Sequence, residues 1–211
     1  MPGPLHIPVS HGRLEALIDA PEGYPIAAAV VCHPHPLHGG TMHNHVTYRI
    51  AKTLTRHGIL TLRFNFRGVG TSTGKHGDGI SEAEDVQAAL DRVQAECPGL
   101  PLWIAGFSFG ARVGLAAAAP DHRVTHMLGV GLVPRMFDFG FLETTKKPKA
   151  FVHGAEDELA DLQSVEQLVR RFPEPRFFEA VATAKHLFPG KLAELEVALD
   201  NAVSFLLHAP I

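Results

Sequence analysis

The sequence predicts an α/β fold, a mostly parallel central sheet with helices on both faces, and three observations carry that prediction. Short continuous apolar runs recur along the chain and are bounded by turn residues. Stretches with helical spacing separate them. The alternation continues over nearly all 211 residues, which is the pattern of repeated strand–helix–strand units.

The elements follow in order. HIPVS and LEALIDAP flank His11-Gly12 and read as two short strands joined by a turn. IAAAVVC, 26–32, is apolar throughout and too short for a surface helix, which suits a strand buried on both faces. The same grammar returns at 59–66, 101–107, 124–133 and 149–154, with a weaker strand at 176–181. Between them, 45–57 carries Val46, Ile50 and Leu54 on one stripe, with Arg49, Lys52 and Arg56 turned elsewhere. Residues 81–96 place Val86, Leu90 and Val93 together, and 111–119 is small and apolar almost all round, as a buried helix would be. SVEQLVRRF and KLAELEVALDNAVSFLLH complete the helices. Roughly fifteen residues separate the 124–133 and 149–154 strands, too few for an inserted lid domain.

The length and the 45% hydrophobic content predict one domain, 1–211, with an ample core. A net charge of −3 argues against nucleic acid or an anionic membrane as the main partner. Cys32 and Cys97 are too few for a disulfide scaffold or a multi-cysteine zinc site. No signal-peptide pattern is visible and no run approaches about 18 apolar residues, so the expectation is a soluble cytoplasmic protein.

The chemistry concentrates where the strand PLWIAGF runs through Gly106-Phe107-Ser108-Phe109-Gly110 into a helix. Strand, G-x-S-x-G and helix together form the nucleophile-elbow pattern, in which a tight turn lifts the serine hydroxyl above the sheet edge. The helix start below it offers free N–H groups and a positive dipole end to a developing oxyanion. A second match, Gly70-Thr71-Ser72-Thr73-Gly74, lacks that context, since KHGDGIS follows it and cannot start a packed helix; Ser72 reads as loop. The same stretch fails as a phosphate loop, because Val69 and His76 stand where Gly and Ser or Thr are needed.

A serine nucleophile needs a base and a group that orients the base, and the fold that hosts this elbow orders them Ser, acid, His. After KAFVHG come Glu156, Asp157 and Glu158, at the carboxyl edge of a strand where catalytic groups gather. Asp157 is the chosen acid, with Glu156 and Glu158 as rivals that would otherwise solvate the loop or cap a helix. His186 follows the last strand and precedes the last helix; the only later histidine, His208, stands near the C-terminus on a helical segment. The histidine-rich HPHPLHGGTMHNH, 33–45, lacks metal-ligand helix spacing and carries prolines and glycines of an irregular loop, so no metal is assigned. A loop in this place supplies the second oxyanion donor. Pro34 and Pro36 have no N–H, which leaves His35, Leu37 or a following glycine; Leu37 is favoured.

CHPHPLHGGTMHN, FNFRGVGTSTG, GFSFGA, VHGAEDEL and AKHLFPGKL, taken together and in order, resemble the α/β-hydrolase superfamily. More narrowly they are similar to its small lidless bacterial serine hydrolases with an HPxPxxGGxMxN loop. The resemblance implies a Ser108–Asp157–His186 triad and oxyanion donors at the Phe109 N–H and one N–H of the 35–37 region. It implies a carboxylesterase-like hydrolase without a cofactor. Lys185 departs from the family, which often has an acidic residue just before the histidine.

Cleavage of small esters through an acyl-enzyme follows from that set. Without a lid the site should be open and suited to short acyl groups. Phe107, Met42, Leu187 and Phe137 are the first candidates for its apolar walls, with Leu37, Phe109, Met136, Phe139 and Phe141 beside them; core packing is the alternative for each. The same triad would serve a thioesterase, amidase or perhydrolase, and a non-catalytic scaffold would keep the fold without turnover. Open sheet edges and an apolar mouth leave room for a homodimer.

Overall fold

The computed structural model describes residues 5–210. An N-terminal hairpin, β1 (Leu5–Val9) and β2 (Gly12–Asp19), precedes β3 (Ala27–Cys32), α1 (His45–Arg56), β4 (Ile59–Phe64) and α2 (Glu82–Glu96). Then come β5 (Leu102–Phe107), α3 (Phe109–Ala118), β6 (Val124–Val130), β7 (Lys149–Gly154), α4 (Leu162–Arg170), β8 (Arg176–Val181) and α5 (Leu192–His208).

All eight strands join one sheet in the order β1-β2-β4-β3-β5-β6-β7-β8. The pairs β1–β2 and β2–β4 are antiparallel and the rest are parallel. Because β3 sends its successor β4 to one side and β5 lies on the other, the chain changes direction between β3 and β5. A crevice opens outside the carboxyl ends of two such strands, which is where an open α/β sheet binds its ligand.

Period-two alternation splits the core into two layers. Ala28, Val30 and Cys32 of β3 and Ile104 of β5 meet Val86, Leu90 and Val93 of α2, Leu115 of α3 and Val165 of α4. On the other face, Val31, Trp103, Ala105 and Phe107 pack with Val46, Ile50 and Leu54 of α1 and Leu195, Leu199 and Val203 of α5. Each fully buried stripe residue contributes about 1.5–3 kcal/mol of apolar transfer. Asn44 caps α1 by accepting the Val46 and Thr47 N–H groups at 2.9 and 3.3 Å, and Asp161 caps α4 by accepting from Ser164. At the amino end of the sheet, Trp103 stacks on the buried His126 with ring centroids 4.4 Å apart.

Two of the boundaries that differ from the sequence-based expectation bear on the site. The helix expected from 111 starts at Phe109, because Ser108 itself takes the N-cap place and no residue intervenes. The strand expected over 124–133 ends at Val130, where Gly131 turns the chain at φ +62° while Leu132 and Val133 stay in the core. The following crossover holds only a short 3-10 turn, Gly140–Glu143, so the described residues contain no lid over the sheet edge. No helix among them is long and apolar enough to cross a membrane.

Candidate active site

The end of β5 determines the site. Ser108 sits at φ +55°, ψ −120°, a conformation that costs an L residue on the order of 1–3 kcal/mol and persists only where its surroundings enforce it. A Cβ on Gly106 would stand 2.5 Å from the Gly110 carbonyl oxygen, and one on Gly110 would stand 2.3 Å from that of His33. Neither contact could relax without moving backbone, so both positions accept only glycine. The turn therefore presses α3 against the ends of β3 and β5 and leaves the serine as the residue that points out.

His186 and Asp157 reach this serine from loops after β8 and β7. The Ser108 Oγ–H donates to His186 Nε2 at 2.9 Å, and His186 Nδ1–H donates to Asp157 Oδ2 at 2.7 Å. An ionised carboxylate only accepts, which puts the imidazole proton on Nδ1 and the lone pair on Nε2. Asp157 is buried, and burial by itself would push its carboxyl up. The hydrogen bond and charge of His186 and the N–H of Leu159 outweigh that and hold it below the usual carboxylate range. Its second oxygen accepts from Leu159 and Ala160 at 2.7 and 3.2 Å.

The rival acids have other places. Glu156 is exposed on the same turn. Glu158 accepts the backbone N–H of His186 through Oε2 at 3.1 Å, so it braces the base from outside the Ser–His–Asp line. Position 185 carries an exposed lysine, and the acidic neighbour of the imidazole comes from Glu158 instead. A further tie runs from the His45 imidazole to the Leu187 carbonyl at 2.7 Å. His208 lies on α5 and bonds only the Ser204 carbonyl.

The loop after β3 corrects the sequence reading of the second oxyanion donor. The Leu37 N–H is spent on the His35 imidazole Nδ1 at 3.2 Å, and Leu37 is 71% exposed and off the cleft wall. His35 does line the cleft. Its carbonyl accepts from His38 and Gly40, while its own N–H, like that of Phe109, meets no acceptor among the described residues. The cleft that Ser108 lines thus also carries these two N–H groups, unpaired among the described residues. Beneath them His33 donates from Nδ1 to the Pro34 carbonyl at 2.6 Å and accepts the Phe66 N–H at Nε2. Burial pulls its pKa down to about 4, which keeps it neutral.

The cleft encloses about 630 Å³ and is bounded by Phe109, Met136, Phe137, Leu159 and Leu187 with His35, His38 and Glu158. Two of the four first wall candidates belong elsewhere. Phe107 is fully buried on the α1/α5 face, its ring 5.1 Å from that of His186, and Met42 is buried with its N–H on Asn65 and its carbonyl on Arg63. Phe139 is likewise core, and Phe141 carries the Arg112 guanidinium over its ring. Leu187 and Phe137 stand on the wall as expected; Glu158, Leu159 and His38 join them.

Comparison with known proteins gives a consistent picture. A family model described as serine aminopeptidase, S33, matches residues 27–134. "Uncharacterized protein RP471" of Rickettsia prowazekii is 32% identical over 199 residues, spanning 90% of this chain and 84% of that one. Among solved structures, XC6422 of Xanthomonas campestris, described as an a/b serine hydrolase without lid, superposes with a TM-score of 0.89. It is 33% identical and covers 99% of this chain and 96% of its own. An alpha-beta serine hydrolase homologue from Coxiella burnetii is 37% identical, with TM-score 0.86 and coverage of 94% and 96%.

Proposed function

The chain belongs to the S33 serine aminopeptidase family of α/β-hydrolases, and from that membership we propose that it hydrolyses short-chain carboxylic esters through Ser108, His186 and Asp157. The observation that carries the reading is the unbroken line of hydrogen bonds, 2.9 and 2.7 Å, from the elbow hydroxyl through the imidazole to a buried carboxylate.

The steps follow from that line. His186 Nε2 takes the Ser108 proton as Oγ attacks the ester carbonyl carbon, and the carbonyl electrons move onto oxygen. Asp157 holds the imidazolium in place. The Phe109 and His35 N–H groups receive the oxyanion, and one such donor is typically worth about 3 kcal/mol of barrier. Collapse breaks the bond to the alcohol oxygen, which takes the proton from His186. Water then repeats the sequence on the acyl-enzyme and returns the serine.

An open cleft with no lid favours small acyl groups, because it has no long apolar tunnel to desolvate a chain. The test is a panel of 4-nitrophenyl esters from acetate to dodecanoate, with matching thioesters and anilides, beside labelling by a fluorophosphonate. Rates should peak at the short esters and labelling should map to Ser108. Faster turnover of dodecanoate would overturn the acyl preference, faster anilides would make the protein an amidase, and absent labelling would make it a scaffold.

A further inference from the structure

On the cleft wall, Glu158 is the one acidic or basic residue other than histidine. Its carboxylate makes a single hydrogen bond among the described residues, from the His186 N–H to Oε2, and no ion pair. The Arg135 guanidinium donates to the Glu158 backbone carbonyl at 3.3 Å and makes no ion pair with the carboxylate. The His186 N–H bond holds the Glu158 carboxyl below the usual range, so it is ionised at neutral pH. On the same cleft, burial and the neighbouring His38 and His76 lower the pKa of His35, which favours its uncharged form.

The apolar part of the same wall is suited to a cation. The half-buried Phe137 packs edge-to-face on the buried Phe109 with centroids 6.2 Å apart, so the Phe137 ring and the exposed Met136 thioether, with Leu159, form the accessible surface. A carboxylate beside aromatic and thioether surface is the arrangement that binds ammonium groups, since a ring face and a fixed negative charge both attract a weakly hydrated cation. Direction is set by the chemistry. His186 must deliver its proton to the departing alkoxide, so the alcohol portion leaves along the His186–Leu187 side, where Glu158 stands.

We infer that the cleft selects esters whose alcohol portion carries a quaternary ammonium group, with Glu158 as the specificity-determining residue. The inference rests on the ester-hydrolase reading and names its substrate class. Because Glu158 is exposed, the expected preference is modest, on the order of five- to tenfold in kcat/KM.

The experiment compares acetylcholine with 3,3-dimethylbutyl acetate, its uncharged isostere, by pH-stat at pH 8 and low salt. The cationic ester should lead by that factor. In Glu158→Gln, which still offers an acceptor to the His186 N–H, the ratio should fall to about twofold or less. Glu156→Gln, on the same turn but off the cleft, should keep it. Equal rates in the native protein, or a preference that survives Glu158→Gln, overturn the inference. So does a preference lost equally in Glu156→Gln, which would mark a diffuse field. Turnover of 4-nitrophenyl acetate without charge preference defeats this inference alone; no turnover of any of the three defeats the ester-hydrolase reading with it.

Discussion

Two segments of this chain carry the same five-residue pattern, G-x-S-x-G, and their surroundings make them different objects. At 106–110 the glycines are present for space: a side chain at either would strike backbone atoms of α3 or of the residue after β3. At 70–74 the glycines are present for handedness. Gly70 and Gly74 have φ of +57° and +90°, and the nearest atoms to an added Cβ are side chains of Glu15, Asn65 and His11. The serines differ accordingly. Ser108 is the strained residue, and its hydroxyl is bonded to a base. Ser72 is unstrained, and its Oγ is already committed, donating to the Asn65 carbonyl at 2.7 Å and accepting the Glu15 N–H at 2.9 Å. A hydroxyl with both roles taken by backbone holds strands together; one facing an imidazole lone pair can lose its proton. The teaching is that the string specifies a sharp turn, and only what packs on the turn specifies a nucleophile.

The strongest way to break the comparison is to remove each hydroxyl. Ser108→Ala should lower ester turnover by on the order of 10⁴-fold or more, whereas Ser72→Ala should leave turnover within about twofold at equal folded concentration. Comparable losses in the two variants would erase the distinction. Next in size is an acid effect at His33, which lies between the two segments: its carbonyl abuts Gly110 and its Nε2 accepts the Phe66 N–H. Its folded pKa of about 4 lies below the ordinary 6.5, so between those values the unfolded chain binds more protons and stability rises with pH. The contribution is therefore complete above 6.5 and drains away as pH falls toward 4, by about 2–3 kcal/mol. Urea midpoints at pH 7.5 and 4.5 should show that loss, and His33→Gln should shrink it; an unchanged pH dependence would remove His33 from the account. His126, also lowered to about 4 by burial, and His153, lowered by burial as well, add in the same direction and leave a residual in that variant. The smallest effect is on stability at Ser72 itself. Its replacement by alanine should cost about 1–2 kcal/mol from two lost buried hydrogen bonds, read as a lower melting temperature.

Much of this is legible in the sequence alone, for definite physical reasons. Strands covered on both faces leave continuous apolar runs, so β3 through β7 announced themselves. Chain order after the elbow picked out Asp157 and His186; in space His186 meets the Ser108 hydroxyl and Asp157 meets the far side of the imidazole. The wall residues were harder, since an apolar side chain near a site looks the same whether it faces the cleft or the core. For Phe107 a signal was available: alternation along β5 places it with Trp103 and Ala105 on the α1/α5 face. Leu37 failed for a local reason, because the first turn after Pro36 lets the His35 ring cap its N–H. Glu158 was weighed only as a rival acid, and nothing in spacing alone could show that it would accept from the His186 backbone.

The chain's single tryptophan is the second residue of β5, the strand that leads into Ser108, and is stacked on an uncharged imidazole. Its emission should therefore be silent to cleft occupancy yet respond sharply when the sheet opens. That gives the protein a built-in optical probe in which unfolding and ligand capture can be followed as separate signals, with no label attached.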